Sequence, residues 1–236
     1  MKTAITALCA FFVFLSHLDA TQVIIINPSF ESNIVPMDGN PLTVSPGDDF
    51  TQNVAATGWQ IGSSLDNPSG LISLRSNSFF DDKLADTPDP VDNDQAFYTN
   101  GWDIYQVLSA TLSANSTYTL NINVGDRNDN PPSVFYAGLR IGTGTTFGAN
   151  LITPDSSFTP AAPDGEWAEW TYTFSTGAAS SGLGQALRIE LLGDVIGTQA
   201  IYDNVRLDVV PEPSGICLAI VGLVFAMHRR RRGLRP

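Results

Sequence analysis

Two cysteines and two histidines occur in the 236 residues, and all four lie near the ends: Cys9 and His17 at one, Cys217 and His228 at the other. The long middle, residues 21–210, therefore has no thiol and no imidazole. Ser-His-Asp and Cys-His nucleophilic sites, Cys/His zinc sites and a disulfide framework are excluded there. What remains is the chemistry of carboxylates, which is acid–base work or oxygen ligation of a hard cation. Glu166 and Glu169 form the sort of pair that carboxylate-based glycoside hydrolysis employs, but carboxylates are abundant and no pair stands out. The stretch Asp81–Asp94 holds six aspartates and two prolines, so it is a loop, either solvated or gathered around calcium. Asp126-Arg127-Asn128-Asp129-Asn130 starts like a calcium loop but lacks the glycine and the distal glutamate that would complete one.

Sugar binding needs another set of groups, aromatic rings exposed beside amides and carboxylates. Trp59, Trp102 and Trp167 are the candidates. Trp170 shares its parity with Tyr172 and Phe174 and reads as core, whereas Trp167 has the opposite parity and stands among Glu166 and Glu169. In Ile201-Tyr202-Asp203-Asn204-Val205-Arg206-Leu207, Asp203 has the parity of Ile201, Val205 and Leu207. Simple alternation thus puts its carboxylate on the core side, where it needs a cation, an arginine or backbone donors.

The elements that must carry these residues are strands. Tyr118, Leu120, Ile122 and Val124 alternate strictly with polar residues, as do Phe135, Ala137, Leu139 and Ile141, then Leu187, Ile189 and Leu191, then Ile201, Val205, Leu207 and Val209. No stretch of the middle combines helical periodicity with capping signals. The expected fold is all-β, a single β-sandwich of jelly-roll type over residues 21–209. Of the 12 Lys+Arg and 24 Asp+Glu, the middle keeps 6 and 22, a net charge of −16. Nucleic acid and anionic membrane surfaces are poor partners for such a domain.

The ends read as addresses. Lys2 and the apolar run Ile5–Leu15 make residues 1–20 a secretory signal peptide. Residues 210–236 combine Pro211-Glu212-Pro213, a run without charge from Gly215 to Met227 and the cluster Arg229-Arg230-Arg231-Arg232. A helix over 213–227 is apolar on every face and roughly 22 Å long, short for a bilayer core of about 30 Å, with the arginines fixing the C-terminus in the cytoplasm.

This tail resembles the PEP-CTERM sorting signal of Gram-negative bacteria. The resemblance implies handling by an exosortase-type membrane protease or transpeptidase, transient anchoring in the inner membrane, and delivery to the cell envelope or the extracellular space. A second resemblance joins the ends of the middle region. Asn27-Pro28-Ser29-Phe30-Glu31 with Asp203-Asn204-Val205-Arg206-Leu207 is similar to the galactose-binding-like jelly rolls, which include carbohydrate-binding modules, with Pro28 where glycine is usual. That resemblance implies a structural calcium held with the help of Glu31 and Asp203. The expectation is a non-enzymatic, exported structural or adhesive protein that associates with extracellular polysaccharide. Its alternatives are a calcium-dependent lectin-like module and, less favoured, a carboxylate-based glycoside hydrolase.

Overall fold

In the computed structural model of the chain, the residues described are 19–32, 55–62, 69–73, 95–101, 103–127, 135–144, 151–163, 165–193 and 199–212. Outside them lie residues 1–18 of the expected signal peptide, the loop Asp81–Asp94, Trp102, Pro213, the apolar run of the tail and Arg229–Arg232. Among the described residues no helix is long and apolar enough to cross a membrane.

Those residues are all-β and form a two-sheet sandwich. The strands are β1 (Thr21–Gln22), β2 (Gln60–Ile61), β3 (Gly70–Ser73), β4 (Gln95–Thr99), β5 (Asp103–Thr111), β6 (Ser116–Gly125), β7 (Phe135–Ile141), β8 (Ser156–Phe158), β9 (Trp167–Thr176), β10 (Ala186–Gly193) and β11 (Ala200–Pro211). The larger sheet runs β3-β4-β11-β6-β9-β8 with β1 also on β11, and the smaller runs β2-β5-β10-β7. All these pairings are antiparallel, the arrangement that leaves one face of a sheet for the core and the other for a different task.

The strands anticipated from alternation form where the pattern puts them. Tyr118, Leu120, Ile122 and Val124 of β6 are buried in the common core, together with Leu187, Ile189 and Leu191 of β10, Ile104 and Leu108 of β5, and Trp170 and Phe174 of β9. Each such side chain contributes roughly 1.5–3 kcal/mol by leaving water, so the core is the main force closing the sandwich. Tyr202 of β11 stitches the sheets together. Its hydroxyl donates to the Leu192 carbonyl at 2.5 Å and accepts the Tyr136 N–H at 3.2 Å. Burial pushes the Tyr202 phenol far up, so the hydroxyl keeps its proton for that bond.

One strand departs from simple alternation. The β11–β6 register slips between Asp203 and Arg206, and Asn204 adopts φ 48°. This bulge adds a residue, so parity inverts across it. Before it Tyr202 pairs with Val124 in the core; beyond it Leu207 pairs with Leu120. Asp203 therefore pairs with Asn123 on the outer face of the large sheet, not on the core side that alternation implied.

Candidate active site

The outer face of the smaller sheet carries the densest chemistry of the described residues. Because β5, β10, β7 and β2 are in register, their outward side chains fall into rows. Gln60, Tyr105, Glu190 and Gly138 lie in one row. Val107, Arg188 and Arg140 make the next, and Asp103, Leu192 and Tyr136 flank them on the other side. The opposite face of these strands is occupied by Ile104, Leu139, Leu187, Ile189 and Leu191, which anchor it in the core.

Outward does not mean wet. Asp103 is 4 % exposed, Arg140 4 %, Arg188 2 %, Glu190 2 % and Tyr105 3 %. Charged groups so buried must be mutually satisfied, and much of this set is. Glu190 Oε1 accepts a bond from Arg188 Nη2 at 2.9 Å, and Oε2 pairs with Arg140 Nε. The Arg188 guanidinium carbon also lies 4.5 Å from the Tyr105 ring centroid, a cation–π arrangement. Tyr105 in turn donates its hydroxyl proton to Gln60 Oε1 at 2.8 Å.

Asp103 differs. Its Oδ2 is buried with no hydrogen-bond partner among the described residues. Burial raises its carboxyl above the ordinary value, outweighing its own backbone N–H and the Arg188 and Arg140 guanidiniums, which pull the other way. The same burial, and then the neighbouring Arg188, pushes Arg140 down to about 10, with Asp103 opposing. Arg188 is lowered mainly by burial and supported by Asp103 and Tyr105. Two guanidiniums, a carboxylate paired with both and a carboxyl whose hold on a proton is strengthened by burial share one buried face, a set that can bind a polar organic molecule and move a proton on it.

Two glycines shape the face. A Cβ on Gly138 would come within 2.7 Å of Leu151 Cδ1, so glycine lets the Leu151 side chain lie across β7 beside Glu190. A Cβ on Gly62 would overlap the Asp103 carboxylate, and the Gly62 N–H donates to the Asp103 carbonyl at 2.8 Å.

The residues singled out from sequence lie elsewhere. Trp59 is in the core, packed 5.2 Å from Phe30 between ring centroids, with Nε1 donating to the Asn27 carbonyl at 3.1 Å. It is not an exposed platform, because the chain from Asn27 to Phe30 folds over it. Trp167 is half-buried on β9, paired with Gly125 on the outer face of the large sheet, while Trp170 is core as its parity implied. Glu169 pairs with Arg206 at the surface. Pro211 closes β11 opposite Ser116, and the Glu212 N–H donates to the Asn115 carbonyl at 2.7 Å.

Glu31 and Asp203 come to one region. Glu31 Oε1 accepts the Gln95 N–H at 2.6 Å at the start of β4, and β4 pairs with β11 just before the bulge. The Pro28 carbonyl accepts the Val205 N–H at 3.0 Å, which fastens the loop of Glu31 to that bulge. Asp203 is fully buried, and its Oδ1 accepts the Asn204 N–H at 2.7 Å. No cluster of three or more His, Cys, Asp or Glu suited to a metal occurs among the described residues. A hollow of about 240 Å³ beside this loop, lined by Gln22, Val23, Ile24, Ile25, Pro28 and Val205, has no ionisable side chain.

Sequence reasoning missed Asp103, Tyr105, Arg140, Arg188 and Glu190. Arg188 and Glu190 alternate with Leu187, Ile189 and Leu191, which in a sequence reads as an ordinary solvated strand face. Only the scarcity of cations, 6 in the middle region with Arg140 and Arg188 among them, hinted that two on one face would matter.

The family described as HpiC1-like, HpiC1 cyclase, matches residues 21–208. Among solved structures, an apo-form cyclase from Fischerella sp. aligns with TM-score 0.63 and 21% identity, covering 83% of this chain and 98% of that one. The Stig cyclase Fisc from Fischerella sp. TAU, in complex with (3Z)-3-(1-methyl-2-pyrrolidinylidene)-3H-indole, gives 0.63 and 20%, covering 83% and 100%. A cyclase from Fischerella sp. TAU in complex with 4-(1H-indol-3-yl)butan-2-one gives 0.60 and 19%, with coverage of 83% and 100%. At these identities the structures show the fold. Comparison with curated proteins gives no match. The family match overturns the expectation of a non-enzymatic structural or adhesive protein associated with polysaccharide, and with it the lectin-like and glycoside-hydrolase alternatives. The misreading had a physical source. Absence of histidine and cysteine removed nucleophilic and imidazole chemistry, but it left carboxyl chemistry intact.

Proposed function

Because the chain belongs to the HpiC1-like cyclase family, whose match spans residues 21–208, we propose that it is a cyclase closing a ring within a small organic substrate on the outer face of the smaller sheet. The observation that carries the site is the buried set Asp103, Tyr105, Arg140, Arg188 and Glu190. Ring closure by a carboxyl needs no thiol or imidazole, which agrees with a middle region holding neither. In this reading Tyr105 and Arg188 supply a flat, polar bed for an aromatic substrate, and Glu190 offers negative charge to a cation that develops during closure. The substrate class we propose is an open-chain, indole-bearing compound, since indole ligands occupy the two complexes of similar fold.

The test uses 4-(1H-indol-3-yl)butan-2-one as a binding probe for the full chain in calorimetry, followed by incubation with open-chain indole substrates and search for a product of unchanged mass. Binding that disappears in Tyr105→Ala is the expected result. Binding unaffected by Tyr105→Ala and Glu190→Gln would put the ligand elsewhere and sink this site.

Calcium belongs to the same proposal as a structural ion. Asp203 and Glu31 would hold it, joined by Asn123, whose amide Oδ1 and Nδ2 are both buried opposite Asp203 without a hydrogen-bond partner among the described residues. An oxygen set of two carboxylates and an amide fits a hard cation. Bound there it would tie the Asn27–Glu31 loop to β11. A chelator should then lower the melting temperature of the full chain, and addition of calcium should restore it. An unchanged midpoint would remove the ion.

A further inference from the structure

We infer that Leu151, seated over Gly138, is the specificity-determining residue of the site, and that it limits the bulk a substrate carries at the end facing away from Tyr105. The inference rests on the cyclase reading for its ligand. It goes beyond that reading by placing selection on an aliphatic side chain outside the charged set.

A single bridge brings Leu151 to the site. It pairs with Arg140 in antiparallel fashion, and the Ile152 N–H donates to the Leu139 carbonyl at 2.9 Å. Residues directly opposite in an antiparallel pair point to the same side of a sheet, and a long side chain also reaches the diagonal position two residues away. Arg140 points outward, so Leu151 does too, and one of its diagonal neighbours on β7 is Gly138. The contact is made: a Cβ on Gly138 would stand 2.7 Å from Leu151 Cδ1. Glycine thus leaves a notch on the outward face of β7, and the leucine tip occupies it.

The segment around Leu151 is fastened to both sheets. Ile152 turns the other way and packs against the core. Three residues on, the Asp155 N–H donates to the Thr173 carbonyl at 2.8 Å, and β8 then pairs with β9 of the large sheet. Pro154 lies between the two attachments, where its ring fixes the backbone. Leu151 therefore stands as a fixed wall.

Exposure shows what the wall faces. Leu151 is 50 % exposed, yet Arg140 opposite it and Glu190, the partner of Gly138, are buried. Tyr136, two residues before Gly138 on the same outward face, is 47 % exposed. Two large apolar side chains left half in water beside buried charges form an apolar rim, and a ligand that covers it gains by removing that surface from water. From Tyr105 across Glu190 to Gly138 is two strand spacings, roughly 10 Å. An indole lying on Tyr105 and Arg188, with its substituent over Glu190, has the end of that substituent at the Leu151 tip. A methyl end stops short of the tip, whereas a ring meets it.

The experiment measures two affinities for the full chain by calorimetry, that of 4-(1H-indol-3-yl)butan-2-one and that of its analogue with phenyl in place of the terminal methyl. The parent should prefer the methyl ketone by about 10-fold or more, and Leu151→Ala should bring the two within about 3-fold by improving the phenyl ketone. Leu151→Met keeps the reach of the side chain and should retain the parent's preference. Gly138 is not in the left-handed region, and the leucine tip is free to shift, so Gly138→Ala leaves the fold intact. By raising that tip it should weaken the phenyl ketone further. In the Leu151→Ala background the same added methyl meets no leucine tip, fills vacated space and should restore part of the discrimination. A residue that only supports the fold would move both affinities together and leave their ratio unchanged. An unchanged ratio in Leu151→Ala, or a preference that Leu151→Met loses as fully as Leu151→Ala, would overturn the wall and leave the cyclase reading standing. The expected change of ratio without ring closure of any substrate would support the wall and count against the cyclase chemistry. If neither ketone binds any of these chains, the wall and the indole class fall together.

Discussion

A carboxylate shared by two buried guanidiniums is held by its neighbours as much as it holds them. Arg140 and Arg188 sit side by side on β7 and β10, and Glu190 is the group that both engage. Deleting one partner of a buried ion pair costs about 3–5 kcal/mol, because the remaining charge is left in a poorly hydrated place. Glu190→Gln should therefore lower stability by that order in urea unfolding. The exposed pair Arg206–Glu169, with side chains 32 % and 48 % accessible, offers the contrast. Glu169→Gln should cost less than about 1 kcal/mol, since solvent already screens the pair. Equal losses would mean that the face around Glu190 is as well hydrated as the surface, and the site would lose its electrostatic basis. None of this was visible in the residue string. Arg188-Ile189-Glu190 has the pattern of a surface strand, and alternation reports which side of a sheet a residue occupies but not whether that side is dry.

At the level of strands, most of what the sequence promised is present. Period-two runs became β6, β7, β9 and β10, and their apolar positions fill the core, because a half-buried strand must present one parity inward. Asp203 shows where the rule stops. Parity carries along a strand only while the register is unbroken, and the bulge after Asp203 inserts a residue that reverses it. The one local hint is Asn204, since asparagine tolerates the left-handed conformation it adopts at φ 48°. The bulge also has a positional effect. It brings Val205 to the Pro28 carbonyl and so brings the Asn27–Glu31 loop against β11, which is why two carboxylates 172 positions apart in sequence share one region. The short resemblance at Asn27–Glu31 and Asp203–Leu207 pointed to this closure correctly as a place. A resemblance of fold, however, says where a chain closes and not what its other face does. The small sheet's outer face lay outside both motifs.

For the molecule as a whole, the last described strand runs to Pro211, and that makes a definite demand on stability. β11 is the central strand of the large sheet, paired with β6 along nearly its whole length, with β4 near its start and with β1 near its end. Its last partners are Pro211 opposite Ser116 and the Glu212 N–H on the Asn115 carbonyl. Thus Pro211 and Glu212 are part of the folded sandwich. A chain of residues 19–212 contains every strand among the described residues and both carboxyls of the proposed site, so it should unfold in one cooperative step with a midpoint close to that of the full chain. A chain ending at Val209 forfeits the pairing of Val210 and Pro211 with Thr117 and Ser116 and the bond from Glu212 to Asn115, and should be weaker by about 1 kcal/mol for each hydrogen bond lost. Urea unfolding of the two chains measures the difference directly. If the longer chain fails to fold, residues 213–236 contribute to the sandwich itself; if the shorter is no weaker, β11 ends functionally before Val210.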